Sequence, residues 1–189
     1  MPVIAVVDEA MIVRGTGSYI LAAVIVPDAR RASTRSRAIS LLPRRRRRFH
    51  FRSEAEPERV AMLRLIAAEA SAAVALVATP QPSAATEQAR QQLLRELAVS
   101  LAARHRPLEL ALESREPHND HRDRHTLATA RQRGEIPGDL AYSHSLPSGE
   151  PLLWLADGLA GAVRASLLGD RHYVELLTPG QLRLEQKTL

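Results

Sequence analysis

The strongest constraint on the fold is a pair of apolar, β-branched runs close to the start of the chain. The first run, Val3 to Val7, ends at Asp8-Glu9, and the second extends from Ser18 to Val26. Gly15-Thr16-Gly17 lies between the two runs and is a turn signal. Because so short a connection joins antiparallel strands, the sequence predicts a hairpin of two buried strands.

Helical and strand patterns alternate along the rest of the chain. Strand patterns occur at residues 49–52, 72–79, 108–112 and 140–144, and helical patterns at residues 29–42, 56–70, 84–104, 120–133 and 148–168. This order predicts one α/β domain at residues 1–172, with a mixed sheet whose first three strands are antiparallel and which is flanked by helices. Residues 173–189 are predicted to form a poorly ordered or edge-packed C-terminal tail.

Composition excludes several classes of protein. The 189-residue chain contains no cysteine, which rules out disulfides and thiolate zinc sites. No stretch approaches the ~20 apolar residues of a membrane span, and we find no secretory signal pattern. We therefore expect a cytoplasmic protein that has no membrane partner.

Arginine is concentrated in one part of the chain. The net charge is +5, and Lys187 is the only lysine among the 26 basic residues. Five consecutive arginines follow the first predicted helix: Arg44, Arg45, Arg46, Arg47 and Arg48. Because arginine forms planar, bidentate contacts with phosphate, this run predicts a nucleic-acid-binding segment. A solvated loop and binding to an acidic protein are the alternative interpretations.

Three carboxylates stand at positions that call for a partner. Asp8 and Glu113 each end a predicted strand, and Asp157 lies in a helix that is apolar nearly all round. A buried carboxylate is either paired with a cationic or amide group or bound to a metal ion. Gly158 and Gly161 beside Asp157 would let another part of the backbone approach that helix closely. The residues themselves leave both interpretations open.

Parts of the chain resemble the DUF3800 family, whose first strand carries Asp-Glu-Ser-Gly and whose last helix carries Leu-Gln-x-Ala-Asp-x-x-Ala. The matching parts are Asp8-Glu9, the hairpin strand from Tyr19 to Val26, and the segment from Pro151 to Gly161 that contains Ala156-Asp157. The chain departs from the pattern at Ala10-Met11, and where Leu153 or Trp154 replaces the glutamine. The resemblance implies a ribonuclease H-like fold.

The same resemblance implies a function and a set of site residues. It implies a nuclease that uses Mg²⁺ or Mn²⁺ to cleave nucleic acid, with Asp8, Glu113 and Asp157 as catalytic metal ligands. Glu54 is a further candidate ligand, because residues 49–54 resemble a polar segment that precedes the family's first long helix. The departures leave two alternatives: a non-catalytic nucleic-acid-binding protein with a degenerate site, and a structural protein whose arginines bind an acidic partner.

A polar stretch before the end of the chain offers a different kind of metal site. His121 and His125 are four residues apart and would lie on one face of a helix. Asp120 and Asp123 are in the same stretch, but the glutamate of a zinc-protease motif is absent. A solvated charged helix face is the interpretation that we favour for this stretch.

Overall fold

Strands and helices alternate along the described part of the chain. The computed structural model describes residues 1–13, 17–43, 46–79, 86–106 and 108–187. The strands are β1 (Val3–Ile12), β2 (Ser18–Pro27), β3 (Ala72–Ala78), β4 (Leu108–Glu113), β5 (Ala141–Ser145) and β6 (Leu182–Lys187). The helices are α1 (Arg31–Ser40), α2 (Glu56–Glu69), α3 (Thr86–Arg104), α4 (Pro117–Gln132) and α5 (Leu153–Leu167). Short 3-10 helices lie at Asp28–Arg30 and Val174–Leu176.

The strands form one mixed sheet in the order β5-β4-β1-β2-β3-β6. β2 is antiparallel to both β1 and β3, whereas β4 is parallel to β1, and β5 is parallel to β4. The predicted mixed sheet with three antiparallel first strands, flanked by helices, is therefore confirmed. Val3 lies opposite Pro27, and Ile12 lies opposite Ser18. The turn predicted between β1 and β2 falls largely on residues 14–16, which lie outside the described part of the chain.

Helices cover both faces of the sheet. Ile4 and Val6 pack with α2 and α5 on one face, whereas Ala5 and Val7 pack with α3 and α4 on the other. Because β1 and β2 are buried on both faces, their sequences are continuous apolar runs and do not alternate with polar residues. No helix in the described ranges is long and apolar enough to cross a membrane.

The segment between α1 and α2 was predicted to contain a third strand at residues 49–52, and that prediction is wrong. None of these residues is in a strand, Phe51 and Arg52 lie in a turn, and the third antiparallel strand is β3. The alternating pattern has another cause, since Phe49 and Phe51 are both buried in the core under α5 while His50 and Arg52 are exposed. Two anchoring aromatic residues around one polar residue thus give the same pattern as a short strand.

The predicted C-terminal tail contributes a strand at one edge of the sheet. β6 pairs in parallel with β3, and Leu182 lies opposite Ala73. Just before β6, the Gln181 side chain donates hydrogen bonds to the Ala70 carbonyl, at 2.9 Å, and to the Ile66 carbonyl, at 3.2 Å. These bonds attach the segment to the end of α2.

Candidate metal centre

Asp8 and Glu9 lie on opposite faces of the sheet, because successive side chains of a strand point in opposite directions. The Asp8 side chain points to the same face of the sheet as those of Ile4 and Val6, and α5 covers this face. The Glu9 carboxylate instead accepts a hydrogen bond from Arg90 of α3 on the other face. Glu9 is therefore part of an ion pair with Arg90, whereas Asp8 faces α5.

Glu113 reaches the same edge of the sheet from β4. Val7 lies opposite Leu112 in the parallel β1–β4 pair, so the next residues of the two strands are Asp8 and Glu113. Ala111, two residues before Glu113, packs on the α5 face. Both side chains line the same cavity. The two strand-end carboxyls are close enough for the charge of Glu113 to raise the pKa of Asp8.

Asp157 comes to this edge on α5. Its Oδ2 atom accepts a hydrogen bond from the Phe51 backbone amide at 3.2 Å and lies 3.1 Å from His50 Nδ1. The small residues of α5 make this approach possible, because a Cβ on Gly161 would overlap the Phe51 ring. The sequence predicted that another backbone segment approaches these small residues, whereas the atoms that approach Gly161 belong to the Phe51 side chain. The Phe51 backbone amide contacts the Asp157 carboxylate instead.

One cavity of about 180 Å³ lies between these three carboxylates. Its lining consists of Asp8, Glu9, Arg48, Phe49, His50, Glu113, Pro147, Leu153, Trp154 and Asp157. Strands β1 and β4 and helix α5 thus each bring one predicted ligand, and Arg48 and His50 add positive charge at the rim.

The carboxyls of Asp8 and Glu113 are short of compensating positive charge. Burial raises the pKa of Asp8 well above its usual range, and repulsion by Glu113, Asp157 and Glu9 adds to the shift. Burial and repulsion by Asp157 also raise the pKa of Glu113, against the attraction of Arg48. Such shifts arise where like charges are brought together in a partly buried place. A divalent cation would remove this repulsion.

The fold of the chain is similar to that of one solved structure. The structure is similar to the crystal structure of ribonuclease H2 from Pyrococcus horikoshii OT3, with a TM-score of 0.50 and 10% sequence identity over 94% of this chain and 82% of that chain. The chain has a ribonuclease H-like fold. No protein-family model matches the chain, and no curated protein matches it either. The fold that the DUF3800 resemblance implied is thus confirmed, whereas membership of that family stays a prediction.

His50 is a polar residue of the cavity that was absent from the predicted ligands. Its side chain is 46% exposed. The hydrogen bond with Asp157 raises the pKa of His50, against the opposing effect of partial burial, and so favours the protonated imidazole. Its place between two buried phenylalanines is the sequence signal that identifies it, since those anchors hold His50 at the cavity of the ribonuclease H-like fold.

Glu54 has a different environment from the other predicted ligands. Its buried side chain forms an ion pair with Arg46, a member of the arginine run. Within the described residues, the lining of the acidic cavity does not include Glu54. The pair joins both ends of the segment that carries His50. The Glu54 carboxylate thus contacts the Arg46 guanidinium and not the acidic cavity.

A second group of possible ligands lies on the α3–α4 face. The ligand atoms of Asp120, Asp123 and His144 all lie within 4.8 Å of one another, and no other group of three in the described ranges is as close. Asp8, Glu113 and Asp157 do not form such a group, so at least one distance between their carboxyl oxygens exceeds 4.8 Å. His118, His121 and His125 are exposed, in keeping with a solvated face of α4.

Arginines already neutralise this second group. Asp123 accepts hydrogen bonds from Arg90 at 2.7 Å and from Arg115 at 3.0 Å. Burial would raise the pKa of Asp123, but hydrogen bonds from His144 and Arg90 outweigh it and lower that pKa to about 2. Asp120 accepts a hydrogen bond from Ser114 Oγ at 2.6 Å. This group is therefore an ion-pair network in which guanidinium groups occupy the place of a metal ion.

The arginines of residues 28–52 fall into two sets. Those of α1 have carboxylate partners, with Arg31 2.7 Å from Glu109 and Arg35 2.5 Å from Glu150. In the run itself, Arg44 and Arg45 lie outside the described residues, and Arg46 pairs with Glu54. Arg47 and Arg48 are exposed, and Arg48 lines the acidic cavity. The charge available to a phosphate is therefore at the cavity and not on α1.

Replacing Gly161 by Ala should destabilise the protein, because its Cβ would overlap the buried Phe51 ring. We expect Gly161→Ala to lower the free energy of unfolding by ~1–3 kcal/mol, measured by urea denaturation. Gly138→Ala is the matched control, since no described atom lies within 4 Å of the position of its Cβ. Equal stabilities of the two variants would contradict the role of Gly161 in seating residues 49–51.

Proposed function

We propose that this protein is a nuclease that depends on Mg²⁺ or Mn²⁺ and acts on the phosphodiesters of nucleic acid, as a member of the DUF3800 family. The observation that carries the proposal is the cavity into which β1, β4 and α5 each bring one carboxylate. Two of these carboxyls, Asp8 and Glu113, have raised pKa values because negative charge accumulates there. Strongly perturbed acids in a cleft are typical of functional sites.

The residues of the cavity fit a hard divalent cation. Carboxylate oxygens are the ligands that Mg²⁺ and Mn²⁺ prefer, and Asp8, Glu113 and Asp157 supply them. Bound cations supply Lewis-acid stabilisation of the phosphodiester charge and a water molecule that is easier to deprotonate. The arginine-paired group of Asp120, Asp123 and His144 fits a cation less well, since its negative charge is already balanced.

Other residues of the chain would position the substrate and move protons. Phe51 keeps Asp157 in place through its backbone amide, at 3.2 Å. Arg48 at the rim of the cavity would attract the phosphodiester. His50 has a raised pKa and a half-exposed ring, so it can carry a proton near neutral pH and donate it to the leaving oxygen.

The wild-type protein provides the test of this proposal. Trp154 is the only tryptophan and lines the acidic cavity, so its fluorescence should be quenched by paramagnetic Mn²⁺. Added Mn²⁺ or Mg²⁺ should also raise the melting temperature, because a ligand of the folded state stabilises it. Labelled RNA and DNA oligonucleotides should be cleaved with these ions and not in EDTA. A protein that shows none of these responses would overturn the proposal.

A non-catalytic nucleic-acid-binding protein is the second candidate function. The sequence Ala10-Met11 after the first-strand carboxylates, in place of the Ser-Gly of the family pattern, favours it. The two candidates differ in one measurement, since a binding protein would hold nucleic acid in a salt-dependent manner and leave it intact with every metal ion.

Both candidates predict that the exposed part of the arginine run binds phosphate. Replacing Arg47 and Arg48 together by Ser should reduce the slope of log K against log salt for a DNA duplex by about 2, roughly 0.9 per lost contact. Arg46 is retained because its loss would leave the buried Glu54 carboxylate unpaired. Arg122 and Arg124, which are exposed on α4, give the control double variant. An equal slope in both double variants would point to an acidic protein partner instead.

A further inference from the structure

A second and larger cavity adjoins the acidic one. Its volume is about 540 Å³, and it shares Glu9, His50 and Asp157 with the acidic cavity. It lies between the end of β1, the segment 50–52 and the C-terminal half of α5. We call it the α5 groove. A molecule in the α5 groove would therefore be next to whatever the three carboxylates bind.

Three arginines that form no ion pair within the described residues line the α5 groove. Arg52, Arg59 and Arg164 all line it. In the described ranges none of the three forms an ion pair with a carboxylate, unlike the arginines of α1. Three carboxylates, Glu9, Asp157 and Asp170, are also in the lining. Glu9 is paired with Arg90, and Asp157 accepts a hydrogen bond from the Phe51 amide and contacts His50. In the described part of the chain, the three guanidinium groups therefore remain without a carboxylate bonded to them and can contact an anionic ligand.

Arg59 and Arg164 are held in place by neutral groups. Arg59 donates hydrogen bonds to the Arg52 carbonyl at 3.2 Å and the Tyr173 hydroxyl at 3.4 Å, and it lies 5.1 Å above the centre of the Phe51 ring. Its buried Nε atom has no protein partner among the described residues. Arg164 Nε donates to the Met11 carbonyl at 3.0 Å. Fixed guanidinium groups lose less freedom when they bind an anion.

The α5 groove also has an exposed apolar part. Met11, Val13 and Leu168 line it, and their exposed fractions are 45%, 83% and 57%. They are three of the seven large apolar side chains that are exposed in the described ranges. Exposed apolar groups collected at one place mark a binding surface. The ligand therefore needs an apolar part as well as negative charge.

We propose that the α5 groove binds one unpaired nucleotide of the substrate strand, next to the phosphodiester held in the acidic cavity. Its phosphate would contact the arginines, and its base and sugar would lie against Met11, Val13 and Leu168. The volume lies within the range of ~300–1,000 Å³ typical of small-ligand sites, so it suits one nucleotide and is too small for a duplex. The proposal rests on the proposed nuclease function and adds a class of substrate to it.

The class of substrate follows from base stacking. A base inside a duplex must leave its stack and its partner before it can enter a pocket, which costs a few kcal/mol. Single strands, flaps and frayed ends avoid this cost. The substrate should therefore be single-stranded, or unpaired at the position next to the cleaved bond.

The α5 groove can be tested without metal or cleavage. Isotope-labelled protein in EDTA would be titrated with 2′-deoxyadenosine 5′-monophosphate and with inorganic phosphate, following the backbone amides of residues 50–52 and 161–168 by NMR. We expect the nucleotide to bind at least ten-fold more tightly than phosphate. Arg164→Gln and Leu168→Glu should each weaken nucleotide binding several-fold, whereas Arg124→Gln on α4 should not. Equal binding of nucleotide and phosphate, or equal behaviour of all three variants, would overturn the proposal.

A free mononucleotide would make the same contacts in the α5 groove as a nucleotide within a strand. Binding of oligonucleotides distinguishes these two ligands. A single-stranded DNA 12-mer should bind at least ten-fold more tightly than a blunt hairpin of similar length, and Leu168→Glu should remove this preference. Binding of the mononucleotide alone, without the strand, would overturn the proposal in favour of a small-molecule site. Mn²⁺ quenching of Trp154 reports separately on the acidic cavity, so loss of that signal would identify a failure of the nuclease function and not of the α5 groove.

Discussion

Asp8→Asn and Asp157→Asn should each reduce metal-dependent cleavage by ~10²-fold or more, the usual scale for losing one essential electrostatic contribution. An amide has nearly the shape of a carboxylate but not its charge, so it cannot replace an anionic ligand. The asparagine oxygen at position 157 can still accept the hydrogen bond from the Phe51 amide. Cleavage of a labelled single-stranded oligonucleotide in Mg²⁺ and in Mn²⁺ would measure the effect.

Stability without metal should change in the opposite direction for Asp8→Asn. The folded state raises the pKa of Asp8 above its unfolded value of about 3.9, so ionised Asp8 opposes folding at neutral pH. Lowering the pH through the raised pKa should therefore stabilise the metal-free wild type. Asp8→Asn removes this cost at every pH, and its melting temperature in EDTA should equal or exceed that of the wild type.

Added Mn²⁺ gives the sharper comparison between the variants. It should stabilise the wild type and quench Trp154, and both responses should be lost or much reduced in Asp8→Asn and Asp157→Asn. Asp139→Asn is the matched control, since Asp139 is exposed and lies outside both cavities. Full activity in Asp8→Asn would exclude Asp8 as a ligand and with it the proposed site.

The strands and the carboxylates at their ends were predictable because burial of a strand on both faces requires apolar residues at consecutive positions. β1 and β2 are buried on both faces, which makes their apolar runs continuous. Strand β4 ends at Glu113, and a parallel neighbour of β1 must end at the same edge of the sheet. The approach of Asp8 to Glu113 therefore follows from topology once the strands and their order are recognised.

The separation of Asp8 from Glu9 was also contained in the sequence but is easily missed. Strand alternation points two adjacent carboxylates toward opposite faces, so Asp8 faces α5 whereas Glu9 reaches Arg90 on α3. What the sequence does not contain is the identity of their partners. Arg90 is 81 residues from Glu9, and nothing local marks it among the many arginines of the chain.

The segment from Phe49 to Glu54 was predicted poorly because its side-chain contacts, and not a local secondary-structure pattern, determine its conformation. Two phenylalanines anchor it under α5, and the Arg46–Glu54 pair joins its ends. A strand pattern and a metal ligand are reasonable expectations for those residues in isolation. The glycines of α5 indicated that something approaches closely, but not that residues 49–51 do so.

Replacing Arg90 by Met should cause a large loss of stability, which is the second large effect that we expect. Arg90 on α3 is 1% exposed and contacts Asp123, Glu9 and the hydroxyl of Tyr19. Arg90→Met preserves most of the side-chain volume, but it leaves Glu9 without its cation and Asp123 with only Arg115 and His144. Breaking a buried pair in this way typically costs ~3–5 kcal/mol, because the remaining charge is uncompensated. Urea denaturation at pH 7 would measure the loss.

Arg95→Met is the matched control on the same helix. Arg95 pairs with Glu135 at 2.5 Å, but its side chain is 44% exposed. Water and salt screen an exposed pair, so this variant should be nearly as stable as the wild type. Two arginines on one helix, each paired with a carboxylate, thus differ mainly in burial.

The pH dependence of stability follows from the same network. Because the folded pKa of Asp123, about 2, is below its unfolded value, ionised Asp123 stabilises the wild type. This contribution is fully present above an unfolded pKa of ~3.9 and is lost as the pH falls through about 2. Arg90→Met should weaken that acid dependence, since one cause of the low pKa is gone.

The outcome of Arg90→Met also decides between the two groups of possible metal ligands. If the variant loses no more stability than Arg95→Met, the guanidinium is not the cation that Asp123 requires. Stabilisation of that variant by Mn²⁺, without quenching of Trp154, would then make Asp120, Asp123 and His144 a metal site. A large loss that Mn²⁺ does not restore would leave the cavity of Asp8, Glu113 and Asp157 as the metal centre, because its negative charge is the charge that the chain leaves unbalanced.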